Sequence, residues 1–156
     1  MLNQLRKYII RTLNQKGEAG EAKDGMDMVV CKFHKNRKKL SFACANIPVY
    51  LVRDNELIEY KGDKMPVAIH EVMSPFKIFE IDLLPGDTIY LFSDGYADQF
   101  GGPKNKKFLY SRFKNLLLEA QSRDLKSQGV LLDNTIEKWK ESVEQIDDIV
   151  VIGMRF

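Results

Sequence analysis

The feature that most constrains this chain is a short apolar run that ends in an acid. Asp87 to Phe92 (DTIYLF) is near-continuously apolar, with Pro85-Gly86 before it and Ser93-Asp94-Gly95 after it. A run of that length between turn residues reads as a buried strand. Gly95 is expected to let the backbone turn sharply after the carboxylate. Near the end of the sequence the design is mirrored. Asp147-Asp148 precede the apolar segment Ile149-Val150-Val151, and Asp148 to Phe156 reads as a closing strand. Adjacent antiparallel strands would bring the two acidic ends to one edge of a sheet. Clustered carboxylates repel and need a cation, and hard oxygen donors suit Mg²⁺ or Mn²⁺ better than zinc or copper. Asp-Gly is also a common turn pair, and Asp-Asp often caps a strand or faces water. Spacing alone leaves both readings open.

The remaining pattern is α+β. Met1 to Gln15 is amphipathic, with Leu2, Leu5, Ile9 and Leu13 at helical spacing and Arg6, Lys7 and Arg11 between them. Docking onto a sheet is the expected use of that helix, with a membrane surface as the competing one. Asn14 to Asp24 reads as a loop, Met26 to Phe33 as a strand, and His34 to Arg37 as a turn. Lys39 to Ala45 is a second strand. Val49 to Arg53 and Glu56 to Tyr60 form a hairpin around Asp54-Asn55, a pair that tolerates left-handed geometry. Lys77 to Leu83 (KIFEIDL) alternates apolar and polar residues. Leu109 to Gln121 and about Val130 to Ser142 carry helical spacing, which makes Leu116, Leu117, Leu118 and Trp139 packing candidates. Gly101 to Lys107 is expected to be a flexible basic loop, either solvated or in contact with a phosphoprotein through Lys104, Lys106 and Lys107.

Composition excludes several classes. The 156 residues suffice for one domain with its own core. Hydrophobic residues make up 44% and charged residues 29%, so a largely disordered chain is not expected. A formal charge of +2, with aromatics inside apolar runs, does not suggest nucleic-acid binding. No apolar run reaches the roughly 18 residues that span a bilayer, and no signal peptide is evident. Cys31 and Cys44 lie in apolar segments without CxxC spacing, which points to reduced core thiols, no zinc site and a cytoplasmic location. Neither His34 nor His70 has a convincing general-acid context.

LFSDGYADQFGG, followed about fifty residues later by QIDDIVVIGMRF, resembles the last two motifs of the SpoIIE branch of the protein phosphatase 2C (PPM) superfamily. The segments DGMDMVVCKF, KKLSFACANIPVYLVRDNELIEYKGDKMPVAI and FKIFEIDLLPGDTIYLF are similar to successive strands of that domain. Ala45-Asn46-Ile47-Pro48 resembles a turn of the family and is expected to fix the hairpin. The resemblance runs from about Asp24 to Phe156. It implies antiparallel sheets flanked by helices, part of an α-β-β-α sandwich. It also implies hydrolysis of phosphoserine or phosphothreonine on a signalling protein by a two-metal site holding Mn²⁺ or Mg²⁺. Carried over by position, Asp94 and Asp147 are similar to metal ligands. Asp148 and Gly95 would support them. Asp98 stands where relatives carry an acid, and a metal-facing, supporting or turn-forming role is open to it.

One departure bears on activity. The Asp-x-x-Gly-His-Gly-type loop that supplies the family's bridging carboxylate has no counterpart here, and Asp24-Gly25 is a poor substitute. The expectation is a single domain over residues 1–156, N-terminally truncated and weakly active or inactive by itself. A fragment, a shortened gene product and a relative that has lost catalysis all fit. The truncated edge would favour a homodimer. The phosphatase reading, with a phosphorylated regulatory protein as substrate, competes with a non-catalytic interaction module that keeps the fold.

Overall fold

The computed structural model describes residues 1–18, 24–34 and 38–156. Parts of the Asn14–Asp24 loop and of the turn after His34 therefore lie outside the described residues. The chain packs as two compact units, residues 1–49 with 59–84, and residues 50–58 with 85–156.

The first unit is built on helix α1 (Leu2–Thr12) and strands β1 (Met28–Phe33), β2 (Lys39–Ala45) and β5 (Phe79–Asp82). The strands form an antiparallel sheet in the order β1-β2-β5, with Met28 opposite Ala45 and Phe42 opposite Phe79. Alternation puts Met28, Val30, Ala43 and Ala45 on one face. Leu2, Leu5 and Ile9 of α1 pack there with Met65, Val67 and Phe76. The amphipathic helix thus docks onto a sheet. Arg6 locks it in place, donating to the Ser74 carbonyl at 2.8 Å while its guanidinium lies 4.8 Å from the centre of the Phe76 ring. Phe42, Tyr60 and Phe79 form a ring cluster with centroids 5.2 to 5.5 Å apart. Cys31 and Cys44 are free, and burial pushes their thiols up to about 11 and about 12. They stay protonated at neutral pH, as unreactive core thiols do.

Asn46, in the Ala45–Pro48 turn, takes φ 60° and donates its backbone N–H to the Asp63 carbonyl at 2.9 Å. The hairpin joins β3 (Val49–Arg53) to β4 (Glu56–Tyr60) through Asp54 and Asn55 at φ 50° and 62°, the left-handed pair the sequence implies. Gly25 serves packing, since a Cβ there would lie 2.6 Å from the Ala68 methyl carbon.

The second unit carries β6 (Thr88–Phe92), helix α2 (Gly95–Asp98), the small pair β7 (Phe100–Gly101) and β8 (Lys106–Lys107), helices α3 (Tyr110–Ala120) and α4 (Leu125–Lys140), and β9 (Val151–Arg155). Its antiparallel sheet runs β4-β3-β6-β9. Tyr50, Phe92, Phe113, Tyr96, Phe108 and Trp139 form a chain of aromatic contacts with successive centroids 4.6 to 5.4 Å apart. Leu116 and Leu117 are buried and Leu118 is half-buried. Tyr96 and Tyr90 bury their rings but satisfy their hydroxyls, donating to the Leu132 carbonyl and to Gln128 Oε1, both at 2.7 Å. Desolvation raises the pKa of both phenols.

Three expectations need correction. The second late helix starts at Leu125 rather than near Val130, because Asp124 caps it by accepting from the Ser127 N–H at 3.0 Å. The closing strand starts at Val151, and Asp148 to Val150 precede it as an irregular segment. Gly101 to Lys107 is a two-stranded hairpin, with Phe100 opposite Lys107 and Gly101 opposite Lys106.

Candidate active site

β6 and β9 pair antiparallel, with Phe92 opposite Val151 and Thr88 opposite Arg155. The end of β6 and the start of β9 therefore lie together, and each continues into its acidic segment. Ser93 joins the two. Its N–H donates to the Val150 carbonyl at 3.0 Å and its hydroxyl to the Asp148 carbonyl at 2.6 Å. The same oxygen accepts from the Val150 N–H at 3.0 Å. One small side chain thus satisfies backbone groups that the ladder leaves open.

Asp94 stands at the N-cap position of the one-turn helix α2 without a side-chain capping bond, and its carbonyl accepts from the Asp98 N–H at 2.9 Å. Gly95 is needed for a reason other than the one its sequence context suggests. Its backbone is not left-handed, but a Cβ would lie 2.4 Å from the Asp148 carbonyl oxygen. The glycine lets two backbones touch; it does not supply a sharp turn. On the facing segment, Asp147 Oδ1 accepts from the Asp148 N–H at 2.7 Å and the Asp147 carbonyl accepts from Gln145 Nε2 at 2.9 Å.

The backbone thus brings the Ser93–Gly95 segment against Asp148 and Val150, next to Asp147. Asp94 is half-buried, Asp147 and Asp148 are exposed, and Gly95 is the contact point. Asp98 is engaged elsewhere, in an ion pair with Lys107 at 2.8 Å. Ser93 and Lys107 were not singled out for these roles, although Ser93 lies inside the motif itself.

The segments offer hard carboxylate and carbonyl oxygens, the donor type suited to Mn²⁺ or Mg²⁺. Among the described residues, however, no three His, Cys, Asp or Glu side chains converge closely enough to hold an ion. His34 is occupied in the first unit, with Nε2 2.9 Å from the Ser41 hydroxyl. Among the described residues no helix is long and apolar enough to cross a membrane.

Antiparallel sheets and, among the described residues, four helices make an α+β fold of the protein phosphatase 2C type. Residues 2–156 match the family model described as Stage II sporulation protein E, and the chain belongs to that SpoIIE family. Solved structures share the fold. The SiaA protein phosphatase 2C domain of Pseudomonas aeruginosa is 24% identical, with a TM-score of 0.76 over 99% of this chain and 68% of that one. PppA, a regulatory component of the type VI secretion system in P. aeruginosa, is 16% identical, with a TM-score of 0.63 over 99% and 68%. The phosphatase domain of SpoIIE from Bacillus subtilis is 16% identical, with a TM-score of 0.60 over 98% and 73%. No curated protein sequence matches the chain.

Proposed function

We propose that the chain forms part of a metal-dependent phosphoserine/phosphothreonine phosphatase acting on a phosphorylated regulatory protein. In this reading Asp94 and Asp147 are metal ligands, and Gly95, Asp98 and Asp148 support them. The carrying observation is the Ser93 clamp, which holds the Asp94 segment against Asp147-Asp148 through three hydrogen bonds.

When bound, Mn²⁺ or Mg²⁺ would activate a water and offset charge on the phosphoryl oxygens. The protein's own part is positional. Ser93 fixes the spacing of the two segments, Gly95 permits their contact, and Asp98 holds the Lys107 ammonium one helical turn from Asp94. The sequence contains no Gly-His-Gly motif. We therefore propose that these 156 residues form one phosphatase domain with weak or no turnover by themselves. Among the described residues β1 and β5 end one sheet and β4 and β9 the other, and self-association through such an edge belongs to the same proposal.

A second reading, a non-catalytic interaction module, is favoured by one observation: no three-ligand cluster forms among the described residues. Calorimetry of Mn²⁺ binding to this chain and to Asp94→Asn, with p-nitrophenyl phosphate turnover on the same samples, separates the two. The expected result is weak binding, weaker still in the variant, with little turnover. Tight binding with turnover, both lost in the variant, would show a complete site. Identical behaviour of the two proteins would remove Asp94 from the ligand set and favour the interaction module.

A further inference from the structure

The β7–β8 hairpin is built as an ordered arm, and its base is fixed by a residue almost forty positions away. A Cβ on Gly101 would lie 2.0 Å from the Trp139 carbonyl oxygen, and one on Gly102 would lie 2.6 Å from the Trp139 ring. The Gly102 N–H donates to that carbonyl at 2.8 Å, and the Trp139 indole N–H donates to the Gln99 carbonyl at 3.1 Å. Arg112 covers the ring, its guanidinium 4.4 Å from the centroid. At the tip, Asn105 takes φ 43° and donates its N–H to the Gly102 carbonyl at 3.0 Å.

Charge on this arm is divided by role. Lys107 is held by Asp98, whose N–H donates to the Asp94 carbonyl, so the arm is tethered beside the acidic segment. Lys104 and Lys106 are exposed and enter no ion pair among the described residues. Two exposed cations on a fixed support, on an arm tethered through Lys107 and Asp98 to the Asp94 segment, suit an anionic partner. The tip, Pro103 to Asn105, offers no apolar side chain beyond the proline ring and no aromatic on which a base could stack.

We propose that the hairpin is a docking arm for an acidic stretch flanking the phosphorylated residue of the protein substrate, paired by Lys104 and Lys106. This deepens the phosphatase reading and rests on it for the identity of the partner. Lys107 and Asp98 are positioning residues that set the arm beside the Asp94 segment.

The test needs neither metal nor turnover. A labelled phosphoserine peptide with acidic flanks and its neutral-flanked counterpart are titrated by anisotropy into the chain at low salt. Fluorescence of Trp139, the only tryptophan, reports on the hairpin base. The acidic peptide is expected to bind more tightly. The double variant Lys104→Ala/Lys106→Ala should weaken that binding about fivefold and leave the neutral peptide unchanged, with added salt narrowing the gap. Lys104→Glu/Lys106→Glu should invert the preference. Equal affinity for the two peptides, or unchanged binding by a double variant with an unaltered melting temperature, overturns the proposal. So does tighter binding of an oligothymidine strand. Failure of the phosphatase reading shows separately, as identical Mn²⁺ calorimetry of the parent and Asp94→Asn.

Discussion

Strand β6 carries an aspartate at each end, and the two ends are built for different purposes. Asp87, just before the strand, is 1% exposed and held by both arms of the Arg53 guanidinium, at 2.8 and 2.6 Å. Asp94, just after it, is half-buried and faces a segment whose own acids, Asp147 and Asp148, are exposed and enter no ion pair among the described residues. Both ends are tied to the last strand in the same way, by backbone bonds from Phe156 to Asp87 and from Ser93 to Val150. The difference lies in the neighbouring acids: buried Asp87 has a guanidinium partner, whereas Asp147 and Asp148 beside the other end are exposed. A structural acid brings its cation from within the fold, whereas a cluster of acids at the surface leaves room for one from outside.

The largest effect expected from breaking this contrast is at the Asp87 end. Arg53→Ala removes the bidentate partner of a buried carboxylate and should cost about 3–5 kcal/mol of stability in denaturant unfolding. A loss below about 1 kcal/mol would mean that Asp87 is well served without Arg53, and the two ends would then be alike. At the other end, Gly95→Ala pushes a methyl into the Asp148 carbonyl and should cost about 1–3 kcal/mol. It should also reduce whatever Mn²⁺ binding calorimetry finds, since the spacing of the two segments changes. Unchanged stability would mean that the segments part freely and the clamp is not a fixed frame.

The smallest effect sharpens the comparison with a third acid, exposed but not clustered. Asp124 caps α4, and its hydrogen bonds with the Ser127 side chain and backbone N–H hold its pKa below the ordinary carboxylate value. A lowered folded-state pKa stabilises the protein above the unfolded value, about 3.9, and the benefit is lost as pH falls through the folded one. Asp124→Ala should therefore lower the melting temperature at neutral pH, with the gap from the parent closing as the solution is acidified below about pH 4. A gap independent of pH would show that the charge contributes nothing to the cap.

Much of this was legible because it is local. Lys39–Ala45, Val49–Arg53 and Glu56–Tyr60 lie where alternation and the Asp54-Asn55 turn place them. So does the antiparallel pairing of β6 with β9, which brings the end of the one strand to the start of the other. What escaped is set by distant partners. Gly101 and Gly102 look like a flexible loop until Trp139 occupies the space that their side chains would need. Gly95 looks like a turn residue until the Asp148 carbonyl arrives. The pairing of Asp98 with Lys107 depends on a hairpin that these glycines permit. The early start of α4 was readable, since Asp124 and Ser127 have capping spacing, but Gly129 breaks the apolar rhythm there.

The antiparallel tie of β9 to β6 has a further consequence. Because one five-residue strand secures both the Asp87 corner and the Asp94 corner, neither can loosen alone. The strand couples the two corners, so pairing lost at one end of the ladder loosens the other. The geometry of the acidic segment is thus only as durable as the last strand of the sheet.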